Sequence, residues 1–395
     1  GFSATAALTG QVARRGAPSS AADLVLNIPI SRDRLGVRLV GYSEVMGGYI
    51  DNPVLGLTDI NRATRRGVRA SLRWRASPTW TLSANVASQS IATADAQYVE
   101  PAVGDWAQAA GVRQPHDNDF LDASFTAEGS LGSTRATATG SFLHHGFDTR
   151  YDAAAALPAF GLQTAAGPAS FEDANTAELF LGEFTLASPP ERRMQWLLGG
   201  FMVAGDNEGD ATLELAGPAG APPAYAELRR DRVRETAIYG QVVVPLASRL
   251  DLALGGRAFV ARAQTRSTRT FTGAAAPERF DGVVRNRGVA PQVVLRFQPS
   301  AGLTLYAQAA EGYRTAGFNT AGPAGQRFDA PQAALRHAYR PDELWNYEAG
   351  AKLTALRGAA RLRAAVFRTA WTNVQSEQLS DSGLPFTANI GDARD

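Results

Sequence analysis

Apolar and polar residues alternate with period two through successive stretches of this chain, the pattern of a strand with one apolar and one polar face. In 65–75, Val68, Ala70, Leu72 and Trp74 face one way, and Arg65, Gly67, Arg69, Ser71, Arg73 and Arg75 the other. Trp80, Leu82, Ala84 and Val86 oppose Thr81, Ser83 and Asn85 in the same manner. Leu121, Ala123, Phe125 and Ala127 oppose Asp122, Ser124, Thr126 and Glu128, and Val289, Pro291, Val293, Leu295 and Phe297 oppose Asn286, Gln292, Arg296 and Gln298. In Thr176–Leu186 and Met194–Met202 both faces carry large apolar residues, so the faces stay unassigned. Strands are predicted near 1–11, 21–31, 34–45, 64–75, 79–91, 119–130, 133–146, 174–187, 191–205, 231–245, 249–263, 285–298, 301–313, 342–356 and 358–372. A truncated sixteenth opens near Phe386.

The connections alternate as well. Short turns such as Pro29–Leu35, Leu131–Thr134, Leu246–Leu250 and Leu356–Ala359 take turns with irregular loops, running from Tyr42–Arg65 to Glu311–Tyr339. Each long loop covers roughly 20 to 30 residues, and compact soluble domains seldom carry even one structureless loop of that length. A transmembrane β-barrel carries many, on its outer side, with tight periplasmic turns opposite. About ten residues at ~3.3 Å rise and ~40° tilt cross its ~25 Å apolar band. A face bearing Arg69, Arg73 and Arg75 cannot meet lipid, where each Arg costs about 2–4 kcal/mol near the midplane, so it faces a hydrated or filled lumen. Trp74 and Trp80 bracket a turn, where an aromatic girdle is expected. The fold class is therefore an all-β antiparallel transmembrane barrel over 1–395.

Composition sharpens this. Hydrophobic residues make up 45% and charged residues 19%, with net charge +1, so there is no electrostatic footprint for a nucleic-acid partner. The 39 Gly and 21 Pro suit many turns. No cysteine is present, which excludes disulfides, thiolate metal sites and cysteine catalysis. No apolar run reaches the ~20 residues of a transmembrane helix. The opening Gly1-Phe2-Ser3-Ala4-Thr5 reads as the middle of a strand, so the chain is expected to be a fragment.

Several motifs occur in order along the chain. Ile28-Pro29-Ile30 precedes Leu35-Gly36-Val37-Arg38-Leu39 and Gly47-Gly48-Tyr49-Ile50-Asp51-Asn52. Later come Glu311-Gly312-Tyr313-Arg314-Thr315-Ala316-Gly317-Phe318-Asn319, then Tyr339-Arg340-Pro341-Asp342-Glu343, Asn346-Tyr347-Glu348-Ala349-Gly350-Ala351-Lys352 and Asn389-Ile390-Gly391-Asp392-Ala393. This set resembles the barrel of TonB-dependent outer-membrane receptors. Thr320 departs from the glutamate that often follows the family's Phe-Asn pair. The resemblance implies the outer membrane of a Gram-negative bacterium and a barrel of twenty-two strands, of which about fifteen to sixteen are present. A plug domain and energy-coupling box, both absent from this chain, would complete the receptor. It further implies uptake of a scarce solute such as a ferric siderophore, a cobalamin or a carbohydrate, energised through the TonB complex.

Loop aromatics are the candidate ligand contacts: Tyr49, Tyr98, Trp106, Tyr151, Phe171, Tyr225, Phe280, Phe318 and Tyr339. Headgroup anchoring and loop packing compete with that role. Arg229, Arg230, Arg232 and Arg234 interleave with Glu227, Asp231 and Glu235, the composition of a salt-bridged rim. His144 and His145 point to opposite faces of one strand and chelate a common metal poorly. His116 and His337 fall in separate loops. No catalytic constellation, cofactor motif or metal site is expected, and Tyr313-Arg314 and Asn346-Tyr347-Glu348 read as strand-end lumen residues that bond to a plug or loop. A plug-free porin is the alternative function, and a soluble β-rich enzyme or adhesin is disfavoured by strand length. With two unpaired sheet edges, the 395 residues alone are not expected to insert as a closed barrel.

Overall fold

The computed structural model describes residues 1–160, 162, 167–218, 220–319, 338–379 and 385–395. Its strands in chain order are β1 (Ser3–Gln11), β2 (Ser19–Ser31), β3 (Leu35–Met46), β4 (Ala63–Arg75), β5 (Trp80–Thr93), β6 (His116–Leu131), β7 (Thr134–Asp152), β8 (Ala169–Ala187), β9 (Gln195–Leu215) and β10 (Tyr225–Ala247). There follow β11 (Leu250–Phe271), β12 (Glu278–Ser300), β13 (Leu303–Arg314), β14 (Gly317–Phe318), β15 (Ala338–Tyr339), β16 (Asp342–Ala355), β17 (Ala360–Thr372), β18 (Gln375–Leu379), β19 (Pro385–Asn389) and β20 (Ala393–Arg394). Sixteen of them make one antiparallel sheet in which each strand pairs with the next wall strand along the chain, β13 with β16 and β17 with β20; β14–β15 and β18–β19 are separate two-stranded pairs. The residues near Phe386 therefore do not open the sixteenth wall strand. They form the return arm of the β18–β19 pair, and the wall resumes only at Ala393, paired with Trp371.

Which face is concave follows from contacts that skip a strand. The Tyr42 hydroxyl on β3 donates to Gln89 on β5 at 2.6 Å, and Arg257 on β11 donates to Tyr313 on β13 at 3.0 Å. Neighbours two strands apart meet only on the inside of a curved sheet. Exposure agrees: inward Ala237, Phe259 and Ala261 are 4–9% exposed, whereas outward Ile238, Val260 and Val289 are 59–67% exposed. The apolar face is thus the solvent-accessible one, the reverse of a soluble sandwich and the arrangement lipid requires. From Leu250 to Val260 the outward residues of β11 span about 25 Å at ~3.3 Å per residue and ~40° tilt. The cationic side of β4 lies inside, where Arg65 pairs with Glu44 at 3.4 Å and Ser71 sits beside Arg38, itself bonded to Asn27. Trp74, Trp196 and Phe297 stand outward near the short turns, and Trp80 lies over Gly129 beside them, forming the expected girdle. In the unassigned stretch both faces are apolar: Leu181, Phe201 and Val203 share the inward row, and Phe180, Trp196 and Leu198 face out.

The expected loop lengths are corrected in the middle of the chain. β9, β10, β11 and β12 run for 21, 23, 22 and 23 residues, leaving only 216–224 and 272–277 as connections at the loop end. Their upper parts remain paired in water because opposite charges face each other across strands. Arg230 meets Glu208 at 3.1 Å, Arg232 meets Asp206 at 2.9 Å and Arg266 meets Asp281 at 3.0 Å. Cross-strand pairs of this kind hold an otherwise polar ladder together. Charged residues that read as loop are therefore strand.

Glycine has one clear use in the wall. Gly67 stands directly opposite Tyr42, and a Cβ there would lie 2.5 Å from the ring. Its absence lets Tyr42 lie flat across β4 and reach Gln89. Gly67→Val is expected to break that bond and cost about 1–3 kcal/mol through overpacking. Gly140→Ala, where the new methyl meets nothing within 4 Å, should leave the urea midpoint of the folded barrel unchanged.

Candidate functional site

All the longer connections lie at one end of the sheet, and three structured blocks occupy that end. The first joins 47–62 to 94–115. Asp51 and Ala107 form a parallel bridge, and Asn52, Asp95, Gln108 and Gln114 are buried between the two segments. Asp95 Oδ1 accepts from Gln108 Nε2 and from the backbone N–H groups of Ala96 and Gln114. Asn61 Oδ1 accepts from the N–H groups of Tyr49 and Ile50. Backbone that would otherwise be unpaired is satisfied by the Asp95 carboxylate and the Asn61 amide, so the segments stay fixed without regular structure. On this block Tyr49 and Trp106 meet edge-to-face at 5.6 Å, and the Tyr98 hydroxyl donates to Gln114 at 3.0 Å. All three remain 39–53% exposed, forming an aromatic surface on a rigid base.

The second block lies on β7–β11. Tyr225 is fully buried, between Phe160 at 5.4 Å and Phe271 at 5.2 Å, and its hydroxyl donates to Glu227 at 2.7 Å. Glu227 also accepts from Ser267 at 2.6 Å. Phe171 packs on Phe160 at 5.9 Å and pairs across strands with Tyr151, which is 48% exposed. Tyr151, Phe171, Tyr225 and Phe280 all sit on strands, because β7, β8, β10 and β12 extend further than periodicity indicated. Phe280 meets Phe318 edge-to-face at 5.9 Å.

The histidines separate as expected, with one change. His144 faces out towards Glu178 at 3.5 Å. His145 faces in, bonded to Asn118 at 2.9 Å, and lies 6.0 Å from the Phe147 ring. His116 is the first residue of β6, not a loop residue, and contacts Thr149. His337 and Thr320 lie outside the described residues, as does most of the Glu311–Tyr339 loop. Among the described residues no group of three His, Cys, Asp or Glu side chains is placed to hold a metal ion.

The third block absorbs the ordered motifs. Asp342, 1% exposed at the start of β16, accepts from Arg314 Nε at 3.0 Å, Trp371 Nε1 at 3.0 Å and the Gln375 N–H at 2.9 Å. Arg314 also donates to the Gln375 carbonyl at 2.7 Å and lies over the Trp371 ring. Asn319 exchanges two hydrogen bonds with the backbone of Thr387, and Asn389 does the same with Arg340. Each amide imitates a strand edge, tying β14–β15 to β18–β19. Burial pushes the Tyr339 phenol on β15 above its ordinary value. These clamps escaped the sequence reading, which had the residues but no signal for their partners. Glu348 behaves as expected of a lumen residue, accepting from Tyr306 and Gln308, whereas Tyr347 points the other way and stacks on Trp345 at 5.8 Å. Tyr313 bonds within the wall, donating to Glu235 at 3.1 Å and stacking on Phe259 at 3.6 Å.

The basic cluster is salt-bridged, with partners mostly on a neighbouring strand. Arg229 faces in and pairs with Asp231, while Arg230, Arg232 and Arg234 face out to Glu208 and Asp206 on β9.

A family model described as TonB dependent receptor-like, β-barrel, matches residues 27–394. Among solved structures, the ferric yersiniabactin uptake receptor FyuA from Yersinia pestis superposes with a TM-score of 0.75 at 16% identity, covering 95% of this chain and 55% of that one. The ferric-catecholate import receptor Fiu from E. coli K12 gives 0.67 at 16% identity, covering 100% and 60%. The alcaligin outer membrane receptor FauA from Bordetella pertussis gives 0.59 at 16%, covering 100% and 56%. At these identities the likeness is one of fold, and the chain spans little more than half the length of each neighbour. The chain belongs to the TonB dependent receptor-like β-barrel family, whose members lie in the outer membrane of Gram-negative bacteria.

Proposed function

We propose that this chain is the wall and outer mouth of an energy-coupled importer for a ferric siderophore or a comparably scarce solute. The observation that carries this is the lumen itself, polar and in part ion-paired within the wall, with Arg69, Arg73 and Arg75 also facing the bore. Arg257 is held by Glu235 at 2.7 Å, Arg296 by Asp251 and Arg65 by Glu44. A plug domain that presents acids to Arg69, Arg73 and Arg75 can occupy and leave such a hydrated bore without stranding buried charge. The inward apolar row of Leu181, Phe201 and Val203 offers it a dry contact. The TonB complex would act on that plug from the periplasmic side.

Solute would first meet Tyr49, Trp106, Tyr98 and Tyr151, with Phe318 and Tyr339 across the mouth. Tyr225, fully buried, would support that surface from beneath. Trp106→Ala is expected to weaken solute binding about tenfold, as loss of an aromatic anchor does. Surface binding of labelled solute to whole cells measures this, with heat-modifiable migration as the folding check.

Accumulation of iron-labelled siderophores in cells with and without TonB tests the main reading. Uptake should disappear without TonB. Uptake that persists, together with a steady open-pore current in planar bilayers, would establish the porin alternative.

A further inference from the structure

The inner face of β4 carries more charge than a hydrated bore requires. Arg65, Arg69, Arg73 and Arg75 share that face, and Arg38 on β3 stands opposite Ser71, diagonal to both Arg69 and Arg73. Diagonal neighbours, and residues two apart on one strand, lie about 7 Å apart, so Arg69, Arg38, Arg73 and Arg75 form a staircase of cations. Arg65, at the mouth end, has a carboxylate, Glu44 at 3.4 Å. Arg38 donates to the neutral Asn27, and the guanidinium groups of Arg69, Arg73 and Arg75 have no partner among the described residues. The lumen acids Asp122 and Glu128 lie two strands away, beyond Ala87 and Thr81. The adjoining row on β5 keeps the bore wet with Thr81, Ser83 and Asn85, which are neutral. Hydration therefore does not account for the arginines.

Position relates the row to the mouth. β4 starts at Ala63, just after Asn61, whose amide holds the backbone of Tyr49 and Ile50. The aromatic surface of Tyr49 and Trp106 thus stands at the upper end of this strand. From Arg65 to Arg75 the row descends about 25 Å at ~3.3 Å per residue and ~40° tilt, the depth of the apolar band. Its charge is matched at the top and unmatched below, so the attraction for an anion grows away from the mouth. A cleft lined by one sign of charge concentrates counter-ions. Guanidinium forks also bind carboxylates through paired charge-assisted hydrogen bonds. A seated plug that turns acids to these arginines keeps the row occupied, and its withdrawal leaves the row bare for the solute.

We propose that Arg69, Arg38, Arg73 and Arg75 form a descent path that selects solutes of net negative charge, such as carboxylate-bearing iron chelates, and conducts them from the aromatic mouth towards the periplasmic turns. This rests on the importer reading and narrows its solute to an anion.

The test uses the source bacterium, lacking its own copy and complemented with the full-length receptor. The probe is radioactive iron added to spent medium from an iron-starved culture, then split on an anion exchanger into a retained, anionic fraction and a flow-through. Receptor-dependent uptake is expected from the retained fraction. R69Q/R73Q/R75Q should take that fraction up about tenfold more slowly, with unchanged surface binding in the cold, and R69K/R73K/R75K should keep most of the wild-type rate. Uptake from the flow-through at an equal or higher rate overturns the anion path and leaves the importer reading standing. Uptake from neither fraction removes the siderophore reading, and the path with it. Unchanged or faster uptake by the glutamine variant, the result if these arginines only seat the plug, overturns the path. Loss of surface binding in step with uptake also overturns it, placing their effect at the mouth. Heat-modifiable migration confirms that the triple variants are folded; otherwise R73Q alone is read in the same assay, with unchanged uptake again overturning the path.

Discussion

Replacing Asp342 with alanine is expected to release both outer hairpin pairs at once. One carboxylate receives Arg314, Trp371 and the backbone of Gln375, so its removal deletes the hydrogen bonds that three residues make to a charged acceptor. Each such bond contributes about 1.5–3 kcal/mol when the charge is shielded. Arg314 is 48% exposed at its side chain and regains water, so the net loss should be nearer 2–4 kcal/mol than the full sum. Because the clamp sits where the wall meets the mouth, that loss should appear locally. Hydrogen exchange of β18–β19 and β14–β15 should accelerate while β2–β8 keep their protection. Asp342→Asn retains an acceptor and should give an intermediate effect. Unchanged exchange in D342A would show that the hairpins are held by their asparagine clamps alone. In cells, the same variant should lose solute binding while the barrel still reaches the outer membrane.

A second large effect is expected from one residue of register. Val293 and Gln292 are neighbours on β12, paired with Leu254 and Gly255 respectively. Val293 faces out within the apolar band, so Val293→Arg places a charge in lipid and should cost about 2–4 kcal/mol. Gln292→Arg places the same side chain in the lumen and should be close to neutral. Urea unfolding of the barrel in liposomes compares the two. Equal destabilisation would contradict the assigned faces, since a shift of one residue exchanges every side chain between lipid and lumen.

The wall was legible because lipid on one side and water on the other impose a strict alternation, which β4, β5, β6 and β12 write plainly into the sequence. The alternation fails at β8–β9 for a physical reason: Leu181, Phe201 and Val203 give the lumen its own apolar row. Strand ends were misplaced where charge pairs replace hydrophobicity, as with Arg230–Glu208 and Arg266–Asp281. A single sequence marks those residues as polar without showing their cross-strand partners. The site was legible only in part. Tyr49 and Trp106 carry the signal of aromatic residues in a long loop, and they do meet. Tyr225 carries the same signal and is core. The amide clamps at Asn319 and Asn389 and the hub at Asp342 depend on residues far apart in the chain, so composition and spacing could not pair them.

The unequal strand lengths have a consequence for access from outside. β11 and β12 are about ten residues longer than β3 and β4, so their side of the rim stands about 25 Å higher. The strand rim is a ramp, low at β2–β4, where the 47–62 and 94–115 block stands on it, and high at β9–β12. Antibodies raised to 216–224 or 272–277 should therefore bind intact cells through the surface saccharide layer. Those raised to 12–18 should bind only after that layer is stripped away.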